Sequence, residues 1–232
     1  MKKLLAWCLL IGMLFALTGC NEKEEPEEDA FDWRAATTAK YREDENVRQL
    51  IVIQGDETSD ARLMLYEKSF ENGKPVWTET LNCEALIGLN GLGKTKEGDI
   101  KTPVGDFSVL TAFGVKANPG TSLPYIDVNE NTYGCCCNEK YYNCIVDITE
   151  DPSVTHDLDE DEHMMALTPE YNYGFFISYN EERTVGKGNC IFIHCTGVKP
   201  YTGGCVAVSE ENMIQILKAI DENVRVIINY KG

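Results

Sequence analysis

His194 closes the apolar run Ile191-Phe192-Ile193, and Cys205 follows Gly203-Gly204 and opens the run Val206-Ala207-Val208. The chain has only three histidines, and this is the one set against a Gly-Gly-Cys turn. A thiol attacks as its thiolate, and an unperturbed cysteine titrates at about 8.5, so near neutral pH it needs a base. An imidazole takes the proton and later returns it to a leaving amine. A third group fixes the imidazole tautomer by accepting its other N–H. Gly203 and Gly204 let the backbone turn tightly and aim its N–H groups at one spot, which is what a tetrahedral oxyanion needs. The residues for acyl transfer are thus Cys205 as nucleophile, His194 as base and the backbone of residues 203–205 as electrophile.

The same residues allow two other readings. Cysteine is among the most buried residue types, so Cys205 could simply pack. Cys190, His194, Cys195 and Cys205 could also supply zinc ligands. Their spacing fits no paired-ligand pattern well, and Cys195, directly after His194 in a strand, would point to the opposite face.

These residues need strands to position them. Leu50-Ile51-Val52-Ile53 and residues 62–68 read as strands, Asn72-Gly73 as a hairpin turn, and residues 75–81 as the return strand. Residues 85–88 form another short extended run, and a glycine-rich loop follows over residues 90–99. Residues 105–111, 175–177, 191–193 and 224–230 are extended. Ser209 is an N-cap with Glu210 and Glu211 in the first turn, and Met213, Leu217 and Ile220 make one apolar helix face. Residues 118–161 show no period, and loops of that length serve as lids or binding loops or are disordered.

The ends of the chain carry a separate message. Lys2 and Lys3 precede an apolar run over residues 4–17, too short for a confident membrane span. It ends in Leu17-Thr18-Gly19-Cys20, which resembles a bacterial lipobox. This predicts a lipoprotein signal peptide over residues 1–19 and lipid on Cys20. Residues 20–45, rich in Glu and Asp, read as a flexible acidic tether, and residues 46–232 as one domain. The predicted location is the extracytoplasmic face of the cell membrane. The net charge of −17 argues against nucleic acid as partner.

Beyond Cys8 and Cys20, the cysteines are Cys83, Cys135, Cys136, Cys137, Cys144, Cys190, Cys195 and Cys205. An even count in an exported protein invites disulfides, but a free Cys205 leaves at least one other unpaired. The Cys135-Cys136-Cys137 run with Cys144 suits a disulfide loop, a metal clip or reduced thiols. His156 and His163 sit among Asp157, Asp159, Glu160, Asp161 and Glu162. That run reads first as a solvated acidic loop and second as a place for a divalent ion.

Two blocks carry a resemblance to the L,D-transpeptidase catalytic domain of the YkuD type. Residues 87–107 resemble the family's glycine-rich segment, ending here in Thr102-Pro103-Val104-Gly105-Asp106-Phe107. His194 followed by Thr202-Gly203-Gly204-Cys205-Val206 is similar to the family's His and [Ser/Thr]-x-Gly-Cys motif. The resemblance implies a mainly β, β-sandwich-like fold with one or two helices and a long lid-like insertion. It implies attack by Cys205 on the peptidoglycan stem-peptide bond before D-alanine at position four. The acyl group then passes to an amine, giving a 3→3 cross-link, or to water, as in an L,D-carboxypeptidase. It makes His194 the base and the Cys195 backbone carbonyl its orienter. Tyr142, Asn143 and Thr202 become the expected substrate contacts. No cofactor or metal is required. This chain departs from the family pattern at Gly203, often His, and at Ala207, often Arg or Asn, and its His-to-Cys spacing is short. The departures bear on substrate contacts more than on the chemistry.

Overall fold

The computed structural model describes residues 33–135 and 138–231. The expected signal peptide, Cys20 and the first part of the tether lie outside the described residues, as do Cys136 and Cys137. In chain order the elements are α1 (Trp33–Lys40), β1 (Gln49–Gly55), β2 (Asp60–Glu71), β3 (Lys74–Leu86), β4 (Gly105–Gly114), β5 (Tyr125–Asp127), β6 (Thr132–Cys135), β7 (Cys144–Asp147), β8 (Glu162–His163), β9 (Gly174–Ile177), β10 (Phe192–Cys195), β11 (Val206–Val208), α2 (Glu210–Ala219) and β12 (Arg225–Tyr230). Among the described residues the fold is mainly β with two α-helices, and the insertion between β5 and β9 carries its own small sheet.

One sheet runs in the order β12-β1-β2-β3-β11-β10-β9-β4-β5. The first half of β4 also pairs with β12, Gly105 opposite Ile228 and Ser108 opposite Arg225. Its second half pairs with β9, so the sheet folds over and closes on itself. Strand periodicity explains which side chains it encloses. Ile51, Ile53, Leu63 and Leu65 enter the main core with Phe175, Ile193, Val206 and Val208. Leu50, Val52, Met64 and Tyr66 face the other way and form a second apolar layer.

That outer layer needs a cover. Tyr41 and Val47 supply it, and the Tyr41 hydroxyl and the Lys40 ammonium both reach the Asp106 carboxylate. The segment read as tether to residue 45 therefore has its last part helical and docked. The physical reason is that β1 and β2 are apolar on both faces, a property of strands covered on both sides.

The β2–β3 hairpin turns at Asn72 (φ 50°) and Gly73 (φ 76°), with Glu71 opposite Lys74. Positive φ at both central residues is what this two-residue turn demands. Of residues 85–88, read as a separate strand, the first two are the end of a continuous β3. The glycine-rich loop is pinned: Leu92 bridges Thr102, and Gly88 bridges Thr202. At Gly91 (φ 73°) a Cβ would lie 2.3 Å from the Asp56 carbonyl oxygen, so only glycine fits. Within the patternless insertion, β7, β6 and β8 pair in that order. Strands this short leave no readable period. Ser209 caps α2 by accepting from the Asn212 N–H, and Met213, Ile216 and Leu217 are its buried face. Among the described residues no helix is long and apolar enough to cross a membrane.

Candidate active site

The parallel pairing of β10 with β11 builds the site. Ile193 lies opposite Val206, and His194 opposite Ala207. The register therefore places Cys205 next to Phe192, with His194 two residues further along the same face. Ala207 has only a methyl group, so the side chain directly across from His194 does not crowd it. Cys195 points into the main core, its thiol donating to the Tyr173 carbonyl at 3.4 Å.

His194 is only 6 % exposed. Its Nδ1 lies 2.8 Å from the Cys195 carbonyl oxygen. A carbonyl only accepts, so Nδ1 carries the hydrogen and Nε2 is left as the acceptor. Tyr171 packs edge-on against the imidazole, ring centroids 5.3 Å apart, and its hydroxyl donates to Glu162. Burial pulls the imidazole below its ordinary value, against the opposing pull of the Cys195 carbonyl and Glu170.

The Cys205 thiol donates to the Cys190 carbonyl at 3.3 Å and accepts the Phe192 N–H at 3.3 Å. Among the described residues no hydrogen bond joins it to His194. Burial, and next the nearby Glu162 carboxylate, push the thiol up to about 12, against the Phe192 N–H and the Lys94 ammonium. Both groups are thus neutral at pH 7, and the proton must move as attack occurs rather than before it.

Two threonines hold the turn. The Thr202 hydroxyl donates to the Cys205 carbonyl at 2.7 Å and accepts the Gly204 N–H at 3.1 Å. The Thr102 hydroxyl donates to the same carbonyl at 3.2 Å and accepts the Gly88 N–H at 2.9 Å. Gly204 has φ 148°, and a Cβ there would lie 2.9 Å from the Lys101 carbonyl oxygen. Lys94 pairs with Asp99 at 2.9 Å, the two side chains 5 % and 9 % exposed. Burial works against the Asp99 carboxylate, but the N–H groups of Thr95, Lys96 and Lys101 and the Lys94 ammonium outweigh it and bring it to about 2. Cys205, His194, Lys94 and Glu162 share a cleft of about 680 Å³.

The family model for the YkuD L,D-transpeptidase catalytic domain matches residues 48–228. The chain belongs to this family. It is similar to the helical cell shape determining protein Pgp2 from Campylobacter jejuni, at 17 % identity and a TM-score of 0.41 over 80 % of this chain and 48 % of that one. It is also similar to the Ldtfm–avibactam carbamoyl enzyme, at 12 % identity and a TM-score of 0.36 over 81 % of this chain and 50 % of that one. The chain spans about half the length of each of these proteins. No curated protein matches it.

In this L,D-transpeptidase domain, the residues singled out in the sequence fall into three groups. Cys205, His194, Gly203 and Gly204 line the cleft together. Thr202 also borders it, with its hydroxyl engaged on the turn. Tyr142 and Asn143, expected as substrate contacts on a lid, are instead buried and absent from the cleft wall. The Tyr142 hydroxyl accepts the Gly186 and Gly188 N–H groups, each at 3.2 Å. Asn143 donates to the Tyr179 and Asn180 carbonyls, each at 2.9 Å, and accepts the Cys190 N–H at 2.7 Å. Asn143 thereby holds the residue whose carbonyl receives the Cys205 thiol. The sulfurs of Cys190, Cys195 and Cys205 point to separate partners, so the zinc reading of those residues with His194 has no common centre.

Sequence reasoning missed Glu162, Tyr171 and Thr102 in this site. Glu162 was hidden at the end of an acidic run, and Tyr171 stood just ahead of the extended run 175–177 with no motif around it. Thr102 stood inside the Thr-Pro motif, which was the one available signal.

Proposed function

We propose that this domain is a cysteine acyltransferase acting on peptidoglycan stem peptides, a peptidoglycan L,D-transpeptidase. The observation that supports it most is the His194 tautomer: Nδ1 is held by the Cys195 carbonyl, which leaves Nε2 as the proton acceptor of a residue that lines the same cleft as Cys205. The thiol rotates off the Cys190 carbonyl, and as Sγ attacks the carbonyl carbon of the third stem residue its proton passes to His194 Nε2. The Gly204 N–H is taken up by Thr202, so the oxyanion falls to the N–H groups of Gly203 and Cys205. Collapse breaks the C–N bond, and His194 returns the proton to the departing D-alanine amine. An acceptor ammonium group that has shed a proton to solvent attacks the thioester as a neutral amine, the C–S bond breaks, the remaining surplus proton passes through His194 to the sulfur, and Cys205 is regenerated. Asp159, Glu160 and Glu170 at the cleft attract a cationic acceptor, which favours an amine over water.

Incubation of the reduced domain with purified disaccharide-tetrapeptide tests this reading. Cross-linked dimer with released D-alanine is the expected product pair. Tripeptide without dimer would make the enzyme an L,D-carboxypeptidase. Unchanged substrate with folded protein would leave a non-catalytic wall-binding domain. We further propose attachment to the membrane through lipid on Cys20, on the strength of the Leu17-Thr18-Gly19-Cys20 sequence.

A further inference from the structure

The insertion brings together three side chains that have no part in acyl transfer. Cys135 Sγ lies 3.3 Å from His156 Nδ1 and 3.4 Å from Asp161 Oδ2. His156 Nδ1 and Asp161 Oδ2 are 3.5 Å apart. The three donor atoms thus form a nearly equilateral triangle. Zinc bonds of about 2.3 Å to sulfur and about 2.0–2.2 Å to nitrogen and oxygen, at tetrahedral angles, give donor separations of roughly 3.4–3.6 Å. An ion fits on this triangle with almost no movement of its ligands.

We propose that Cys135, His156 and Asp161 form a structural zinc site that staples the insertion, with solvent in the fourth position. Three features support zinc over other occupants. A thiolate and an imidazole select it over magnesium or calcium, which take oxygen donors. The charges balance, since Zn²⁺ is neutralised by one thiolate and one carboxylate beside a neutral imidazole. The side chains of His156 and Asp161 are 6 % and 0 % exposed, so a bound ion would be shielded from competing ligands. Cys135 itself is fully buried, too deep to serve as a second nucleophile for a peptide. Ligand binding to a metal needs only solvent access, and His156 borders a surface cavity of about 490 Å³. Tyr141 stacks on the His156 ring at 5.8 Å and fixes its plane.

The site also has a structural purpose. It joins β6 to the irregular loop before β8, a segment with little apolar core of its own, where metals commonly substitute for a core. The residue after Asp161 is Glu162, which receives the Tyr171 hydroxyl beside His194. The Cys135 carbonyl accepts the N–H of Asn143, the residue that holds Cys190. The zinc therefore braces both walls of the catalytic cleft without touching the reacting atoms.

The test is metal content of the purified, reduced full chain after loading with zinc sulfate and desalting. About one zinc per chain is expected in wild type and equally in Cys205→Ala, with His156→Ala and Asp161→Ala losing it. Zinc should raise the melting temperature of wild type and not of His156→Ala. Should those variants fail to fold, cobalt(II) loading decides. A thiolate-to-cobalt absorption band in wild type and in Cys205→Ala, removed in Cys135→Ser, is the expected result. No retained zinc and no cobalt band in folded wild type would overturn the proposal. So would zinc lost in Cys205→Ala or kept in His156→Ala.

Discussion

The resting site holds a neutral thiol beside a neutral imidazole, and that pairing sets its pH behaviour. His194 must be unprotonated to act as base, and burial keeps it below the ordinary imidazole value of about 6.5. The acid limb of the kcat/KM profile should therefore be centred below pH 6.5. An acid limb centred above 6.5 would contradict the assignment. Glu162 is the second cause of the raised Cys205 thiol, after burial. Glu162→Gln keeps an acceptor for the Tyr171 hydroxyl and removes the charge. Alkylation of Cys205, followed by peptide mass mapping across pH, should then move to lower pH. An unmoved profile would mean the carboxylate does not sense the thiol. His194 and Cys205 were legible in the sequence because each borders an apolar run. Glu162 was not, because a carboxylate in an acidic run carries no mark of its burial.

At the scale of elements, the β10–β11 register places Cys205 and His194 on one face and Asn143 of the insertion holds Cys190 beside them. Asn143 satisfies the Cys190 N–H and two carbonyls at once. Asn143→Ala leaves those buried groups unpaired, at an expected cost of about 2–4 kcal/mol in stability, together with a drop in turnover. Denaturant unfolding and product assays check both. Ser209→Ala removes the α2 cap, on the far side of β11, and should cost about 1 kcal/mol with turnover unchanged. The strands around the core, the hairpin turn and α2 all declare themselves by period, turn residues or caps. The insertion does not. Its strands are two to four residues long, and its order comes from side-chain contacts between residues distant in sequence. Tyr142 and Asn143 were placed on a lid for that reason, since sequence alone does not distinguish a tyrosine that covers a cleft from one buried beneath it.

For the whole molecule, the raised thiols couple folding to pH. Burial pushes both Cys195 and Cys205 up to about 12 in the folded domain, whereas unfolded cysteines titrate at about 8.5. Groups with raised values stabilise fully below the unfolded pKa, and that contribution is lost as pH rises through and beyond it. The denaturant midpoint should accordingly fall between about pH 8 and pH 10.5, and fall less in Cys205→Ala. Equal slopes in the two proteins would show that Cys205 is not held protonated by folding. If residues 20–45 tether the domain, docking of Tyr41 on the outer sheet face shortens the stretch available to do so. If Cys20 carries lipid, Cys20→Ala should release the protein from the membrane fraction, while retention there would oppose lipid anchoring.

Intact mass spectrometry of the reduced domain after incubation with disaccharide-tetrapeptide tests the acyl-transfer account most directly. An adduct equal to the disaccharide-tetrapeptide less D-alanine, mapped to Cys205 and missing from folded Cys205→Ala, is the predicted result. An adduct on another residue, or turnover retained by Cys205→Ala, would contradict it.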